Sequence, residues 1–403
     1  MFAQEMRWAR AGRGRANALD VGRGLAILCV LYGHALAPWF MGGDPFHEEA
    51  FLQWKFGAAF MMAFFFFISG MGWRERRSLE TTFRQAIALV LIAWIASIAL
   101  DLLRYFIGIA GFSAPFGYQP FGFERVLKNA ARTAVFGDFY SMSALWFLVA
   151  LAVTRVVAAV TYRAGVLPAW GAAFLLLGAT LASTEFGWRN FYQLNLIGVA
   201  VICFLAGHAL RFWLKELERW PRATLALCVL SGAATAATFH LNQGCRWDAS
   251  AACGLGWLGD RFGVSMIIGQ FGNLTWFTIT TITGVTFALC LSVLLARFGA
   301  RIGEQLSSWG RASIDLLIAN CVLLQLSAPA VGYFISPYLP ADNAPFFVGL
   351  FIFMLAANLT VAALLARPVR RLRALASWGA GLIVGGARRA ALAFAPVRVS
   401  PGA

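Results

Sequence analysis

Apolar residues along the chain occur in long runs, separated by short polar stretches rich in arginine. Many of these runs approach the length of about 20 residues that a helix needs to cross the hydrocarbon core of a bilayer. We place ten predicted spans at residues 20–41, 51–73, 84–107, 142–162, 166–184, 193–214, 222–241, 273–297, 312–336 and 345–366. The pattern therefore predicts an all-α fold: a polytopic integral membrane bundle of about ten transmembrane helices.

The composition agrees with this pattern and excludes other classes of protein. Of the 403 residues, 60% are hydrophobic and only 13% are charged, so a multidomain soluble enzyme or a disordered chain is excluded. The net charge of +15 could suggest nucleic acid as a partner. The basic residues stand in short clusters between the apolar runs, however, which indicates topology signals and no nucleic-acid surface.

The distribution of lysine and arginine predicts the orientation. If the N-terminus is cytoplasmic, 25 of the 33 basic residues fall in segments on the cytoplasmic side. Such a positive-inside bias predicts cytoplasmic termini and an even number of spans. The chain then divides into a basic cytoplasmic segment at 1–18, a membrane domain at 19–366 and a basic cytoplasmic tail at 367–403.

Two of the seven cysteines suggest a disulfide. Cys245 and Cys253 share the Gly-rich outer loop 242–272, where an oxidising compartment favours a disulfide between them. A zinc site with His240 is the weaker alternative, because one histidine and two cysteines at this spacing are a poor metal signal. We predict no metal site. The other five cysteines lie in predicted spans, where a small inert hydrophobe is the usual role.

The first span holds the clearest candidate site. Arg23 and His34 are eleven positions apart, which is about three helical turns and roughly 16 Å of rise, so both side chains share one face. Asp20 lies one turn before Arg23 and can pair with it. An ionisable histidine deep in a bilayer is costly unless it faces a polar cavity or a partner. The alternative is a snorkelling arginine above a packed, hydrogen-bonded histidine.

This stretch resembles the start of the acyltransferase-3 family of polytopic membrane acyltransferases, which include O-acetyltransferases. Members carry a pattern like LDxxRGxAxxxVxxxH, and residues 19–34 match it almost letter for letter. The family's second span typically ends in FFxxSG followed by arginines, and residues 66–70 (FFISG) and 74–77 (RERR) are similar in order and spacing. Residues 145–148 resemble the family's LWFL element. Through these motifs the resemblance implies supporting roles for Ser69, Gly70 and Trp146.

The chain departs from the family pattern in a late span. Many members carry His or Asn in a run resembling SxxIYLxH, and residues 313–320 read SIDLLIAN here. Asn320 stands where the histidine is expected, and Asp315 is unusual for this run. A carboxylate within an apolar stretch needs a partner, whatever the function of the protein.

The resemblance implies transfer of an acyl group, most simply acetyl, from cytoplasmic acyl-CoA as co-substrate, with no bound cofactor. Arg74, Arg76 and Arg77 suit the phosphates of the donor, although an ordinary positive-inside loop would also be arginine-rich. His34 suits the general base, because an imidazole has an unperturbed pKa near 6.5. Arg23 is assigned to the donor end of the same channel. Direct transfer is preferred to an intermediate on Cys29, which lies about 140° from the face of His34.

The acceptor is expected to be a hydroxyl of an extracytoplasmic or lipid-linked glycan, in the inner membrane of a bacterium and in contact with membrane lipid. Sugars commonly stack on aromatic rings, although an interfacial aromatic belt explains many such residues equally well. The loops 104–141 and 242–272 are the largest outer segments. Aromatic residues crowd the outer ends and loops at Trp39, Phe40, Phe46, Trp54, Phe116, Tyr118, Tyr140, Trp188, Trp247 and Trp257.

Two other classes of function stay open. A secondary transporter would also combine ten spans with buried polar groups, but the pattern from Arg23 to His34 has no second copy, as an internal repeat would require. A lipid-linked sugar transferase could use Asp44, Glu48 and Glu49 with a metal ion, but the loop 42–49 is short for a sugar phosphate.

The arginine distribution predicts the outcome of a topology experiment. A reporter fused after Arg77 should read cytoplasmic, and one inserted between Gly42 and Glu49 should read extracytoplasmic, because basic loops are retained on the cytoplasmic side. Paired activity-based reporters, such as a phosphatase and a fluorescent protein, measure both positions. The opposite readings at the two sites would reverse the orientation.

Overall fold

A computed structural model describes residues 17–41, 48–75, 78–110, 122–137, 143–188, 190–242, 264–266, 269–330 and 344–393. No β-strand occurs within these ranges, which confirms the all-α prediction. The α-helices of the described residues are, in chain order, α1 (Ala18–Met41), α2 (Glu48–Ala58), α3 (Met61–Met71), α4 (Leu79–Ile109), α5 (Phe123–Phe136), α6 (Trp146–Thr161), α7 (Val166–Glu185), α8 (Leu194–Ala209), α9 (Trp213–Arg219), α10 (Pro221–Thr238), α11 (Leu274–Phe298), α12 (Ala300–Arg311), α13 (Ser313–Ala330) and α14 (Ala344–Ala393).

Each of the ten predicted spans overlaps a helix or a helix pair. Within the described ranges, eight spans are long and apolar enough to cross a membrane, and a ninth is added if the bent pair α8 and α9 counts as one. That pair changes direction by 57°, whereas α2 and α3 join at Ala59 and Phe60 into one 24-residue span, Glu48–Met71. The apolar stretch Ser313–Leu324 of α13 is shorter than a full span. The chain is thus a multi-pass membrane protein by the length and composition of its helices.

Helix α14 is longer than the last predicted span. It runs for 50 residues and carries Pro368 in its interior, so no helix end marks the expected start of a tail at residue 367. Arginine, leucine and alanine dominate residues 367–377, and all three have high helix propensity. The first basic residues of the expected tail therefore lie within a helix.

Two described helices, α5 and α12, lie outside the predicted spans, because each alternates charged and apolar residues and has no long apolar run. Helix α5 packs beside α4, where Trp94 Nε1 donates to the carbonyl of Ala130 at 3.0 Å. Helix α12 crosses α1 so closely that a Cβ at Gly310 would overlap the carbonyl of Asp20. A Cβ at Gly24 would overlap the carbonyl of Leu306 in the same way. Glycines therefore hold α12 against the half of α1 that carries Arg23.

The aromatic core centres on α3, where Phe64 and Phe66 are fully buried. Helix α3 packs against α8 through two glycines in a reciprocal arrangement. A Cβ at Gly70 would overlap the carbonyl of Phe204, and a Cβ at Gly207 would overlap the carbonyl of Phe67. Close backbone approach through small residues is the usual way in which membrane helices gain packing contacts.

Gly70→Ala is expected to destabilise the protein, because the backbone of Phe204 must move to admit a methyl group. The cost should be about 1–3 kcal/mol, seen as a lower midpoint of thermal unfolding in detergent. Gly178→Ala on α7 is the matched control, because a Cβ there meets nothing within 4 Å. Equal midpoints for the two variants would contradict the packing assigned to Gly70.

Candidate active site

A cavity of about 750 Å³ follows α1 from Ile27 to Ala37 and is walled by segments from α1, α2, α3, α6 and α13. Most of the described residues that line it are apolar. Its aromatic lining consists of Tyr32, Trp54, Phe56, Phe60, Phe65, Trp146, Phe147 and Phe239. The cavity is therefore large enough for a small organic molecule, and its mainly apolar lining suits the apolar part of such a ligand,.

His34 lies in the wall of this cavity and is oriented by Asn320. Its Nδ1 is 2.5 Å from Oδ1 of Asn320, which is 1% exposed on α13. An amide oxygen only accepts hydrogen bonds, so Nδ1 donates, and in the neutral imidazole Nε2 keeps its lone pair. The structure thus brings together two predicted site residues that are 286 positions apart.

Arg23 lies at the other end of α1, outside the lining of the cavity. Its Nη1 is 2.7 Å from Oδ1 of Asp20, as the sequence spacing predicted. Arg311 on α12 lies 3.7 Å from the other oxygen of Asp20. The guanidinium of Arg23 also reaches the turn after α3, where a Cβ built at Gly72 would lie 3.1 Å from its Nη2. Arg23 thus neighbours the loop that carries the predicted donor arginines, while His34 lies in the cavity.

The loop after α3 is anchored to α8 through a residue that sequence analysis did not single out. Glu75 lies 3.4 Å from His208 Nε2 and 3.6 Å from Arg211. The buried ring of Trp73 packs edge-on against His208, with ring centroids 4.7 Å apart. Arg74 lies between these anchors and is exposed. Arg76 and Arg77 lie outside the described residues. The position of His208 at the end of an apolar span was the sequence signal that could have indicated this anchoring role.

The other predicted supporting residues occupy different places. Trp146 is buried and lines the cavity, whereas Gly70 serves helix packing and Ser69 is half-buried on α3. Asp315 has the partner that its position required, because Arg373 of α14 donates to its Oδ1 at 2.9 Å. Asp315 therefore ties α13 to α14, and it does not line the cavity.

The predicted disulfide between Cys245 and Cys253 lies outside the described residues. The other five cysteines are free thiols and buried or half-buried, and Cys29 lines the cavity. Among the described residues no group of three His, Cys, Asp or Glu side chains could hold a metal ion.

Sequence reasoning also missed three polar residues in the cavity wall: Tyr32, Glu49 and Gln53. Glu49 had been considered only as a metal ligand of a sugar transferase. A glutamine within an apolar span was a signal that could have directed attention to Gln53, because polar groups inside a membrane are costly.

The fold and the site together define a class: a multi-pass helical membrane protein in which a cavity is lined by a histidine that an asparagine holds. The sequence profile of the acyltransferase-3 family (Acyl_transf_3, acyltransferase domain) matches residues 16–367, and the chain belongs to this family. No curated protein and no solved structure matches the chain. The family match extends over α1, which carries Arg23 and His34, and over α13, which carries Asn320.

The ion pair of Asp315 and Arg373 predicts a pattern of stabilities. Arg373→Gln should lower the midpoint of thermal unfolding by an amount equivalent to about 1 kcal/mol, because it removes the hydrogen-bonded counter-ion of a half-buried carboxylate,. Asp315→Asn combined with Arg373→Gln should recover most of the loss, since the carboxylate that lost its hydrogen-bonded counter-ion is then neutral as well. A double variant as unstable as Arg373→Gln alone would contradict this pairing.

Proposed function

We propose that the protein is an O-acyltransferase that moves an acyl group, most simply acetyl, from cytoplasmic acyl-CoA to a hydroxyl of an extracytoplasmic or lipid-linked glycan. The observation that carries this proposal is the position of His34, which lines a large cavity and is held by Asn320 in a member of an acyltransferase family. The activity needs a general base beside a space where the acyl group can meet the acceptor, and the position of His34 in the cavity wall supports this assignment,.

His34 acts as the general base through Nε2. As the acceptor oxygen attacks the thioester carbonyl carbon, its proton moves to Nε2 and a tetrahedral intermediate forms. Collapse of the intermediate breaks the carbon–sulfur bond, and the departing thiolate takes the proton back from the imidazolium. The products are an ester and free coenzyme A. Asn320 is a positioning residue: it accepts the Nδ1 proton, selects the tautomer with a basic Nε2, and stabilises the imidazolium.

Arginines at the opposite end of α1 receive the phosphates of the donor. Arg74 is exposed on a loop anchored by Trp73 and Glu75, and Arg23 lies against the same turn. Planar guanidinium groups bind phosphate oxygens bidentately. On the sequence alone, Arg76 and Arg77 are assigned to the same donor cluster, which is defined as Arg23, Arg74, Arg76 and Arg77. With the phosphates held there, the pantetheine arm carries the thioester toward His34.

The membrane arrangement follows from the same assignment. The arginine distribution supports cytoplasmic termini and a donor cluster on the cytoplasmic face of a bacterial inner membrane,. The acceptor then approaches from the half of the cavity beyond His34.

Loss of His34 and loss of the donor cluster should give different phenotypes. His34→Ala should lower the transfer rate by about 10²- to 10⁴-fold, as expected for a lost general base, while coenzyme A still binds. Arg74→Ala should mainly raise the KM for acetyl-CoA. Steady-state release of the coenzyme A thiol, paired with calorimetric binding of coenzyme A, measures both effects.

Cys29→Ala is the control for His34→Ala, because both residues lie on α1 and line the cavity. Direct transfer predicts that Cys29→Ala retains turnover. Near wild-type turnover by a correctly inserted His34→Ala variant would overturn the catalytic assignment. Uptake of a solute by proteoliposomes, without any consumption of acetyl-CoA, would favour a transporter instead.

A further inference from the structure

A chain of hydrogen bonds between side chains crosses from α1 to α2 in the wall of the cavity. Tyr32 donates its hydroxyl proton to Oε1 of Gln53. Gln53 Nε2 donates in turn to Oε1 of Glu49 at 2.7 Å. All three residues line the cavity that contains His34, and all three are half-buried. We call Tyr32, Gln53 and Glu49 the polar chain.

The bonding pattern leaves the polar chain with groups that can bind a ligand. Oε1 of Glu49 is used by Gln53, and the second carboxylate oxygen keeps its own capacity to accept. Gln53 keeps a second N–H, and the Tyr32 oxygen can accept a hydrogen bond. These groups offer mainly acceptors, so they suit a ligand with several hydroxyl donors. The internal bonds hold the carboxylate in place before any ligand arrives, which lowers the entropic cost of binding.

An aromatic ring lies beside the polar chain, next to His34. A Cβ built at Gly33 would be 3.3 Å from Cδ1 of Trp54, so the indole packs against the backbone between Tyr32 and His34. Trp54 also lines the cavity. A ring combined with hydrogen-bond acceptors suits a sugar, which has an apolar face and hydroxyls around its edge.

We propose that Trp54 and the polar chain form the acceptor subsite, and that it selects a neutral sugar. The sugar packs on the indole, two of its hydroxyls donate to Glu49 and to the Tyr32 oxygen, and another hydroxyl faces His34. This inference rests on the proposed acyltransferase function. The negative charge of Glu49 disfavours an acidic sugar, since like charges in a site of low dielectric repel each other strongly.

The charge selection is tested with two acceptors that differ in one group, octyl β-glucoside and octyl β-glucuronide, and with protein in lipid nanodiscs. The wild type should use the glucoside with the higher kcat/KM. Glu49→Gln keeps an acceptor for Gln53 but removes the charge. It should raise the KM for the glucoside about tenfold, because hydrogen bonds to charged groups are roughly twice as strong as neutral ones. It should also reduce the preference for the glucoside over the glucuronide.

Glu48→Gln is the matched control. Glu48 lies in the same first turn of α2 and has the same charge, but it is exposed and does not line the cavity. A role of Glu49 that is limited to stabilising the helix start would make the two variants behave alike, because both carboxylates interact with the same helix dipole. Tyr32→Phe, which loses the oxygen, should raise the KM for the glucoside and leave the ratio between the acceptors near that of the wild type.

Hydrolysis of acetyl-CoA without an acceptor separates this inference from the function on which it rests. The acyltransferase function and the acceptor subsite are both supported if His34→Ala loses the hydrolysis seen in the wild type and if Glu49→Gln is the one variant of the wall that changes the selectivity between the two sugars. If Glu49→Gln leaves both the KM for the glucoside and the selectivity unchanged, while hydrolysis still depends on His34, the acceptor subsite is overturned and the acyltransferase function stands. If the wild type neither hydrolyses acetyl-CoA nor acylates either sugar, the proposed function itself fails.

Discussion

A histidine inside an apolar bundle requires a hydrogen-bond partner, and the arrangement of the site depends on how this requirement is met. Asn320 satisfies Nδ1 of His34 and joins α13 to α1 at the level of the cavity. Helix α12 ends one residue before α13 begins. Its glycine contacts hold it against the other half of α1, which carries Arg23. Helix α1 is therefore fixed at two levels by the continuous segment that α12 and α13 form. The imidazole gains a defined orientation, which an unpartnered ring in a cavity would lack.

Helix α1 separates two tasks by a fixed distance. Arg23 lies against the turn after α3, whereas His34 faces the cavity, and the eleven positions between them correspond to roughly 16 Å. A regular hydrogen-bonded helix keeps this distance constant. The reciprocal glycine contacts between α3 and α8 fix the neighbouring turn as well. In the proposed mechanism, the donor therefore meets a site whose two ends are set by backbone packing.

The sequence predicted much of the fold because a membrane span can be recognised locally, from one uninterrupted apolar run. Helices α5 and α12 escaped prediction, since short amphipathic helices carry no such run. Asp20 and Arg23 were paired correctly because they are one turn apart on one helix. The bonds between Tyr32 and Gln53 and between Asp315 and Arg373 were not predictable in this way, because each joins different helices and leaves no spacing pattern. Asn320 was singled out only through resemblance to a family motif.

The bond between Arg373 and Asp315 bears on how the protein can be shortened for structural work. Asp315 lies five residues before Asn320 on α13, and its partner lies 30 residues into α14. A truncation at residue 367, where the predicted cytoplasmic tail begins, would remove Arg373. The helix that orients the imidazole would then start with a half-buried carboxylate without its counter-ion. A shortened protein should therefore keep Arg373 and the helical residues that follow it, although none of them lines the cavity.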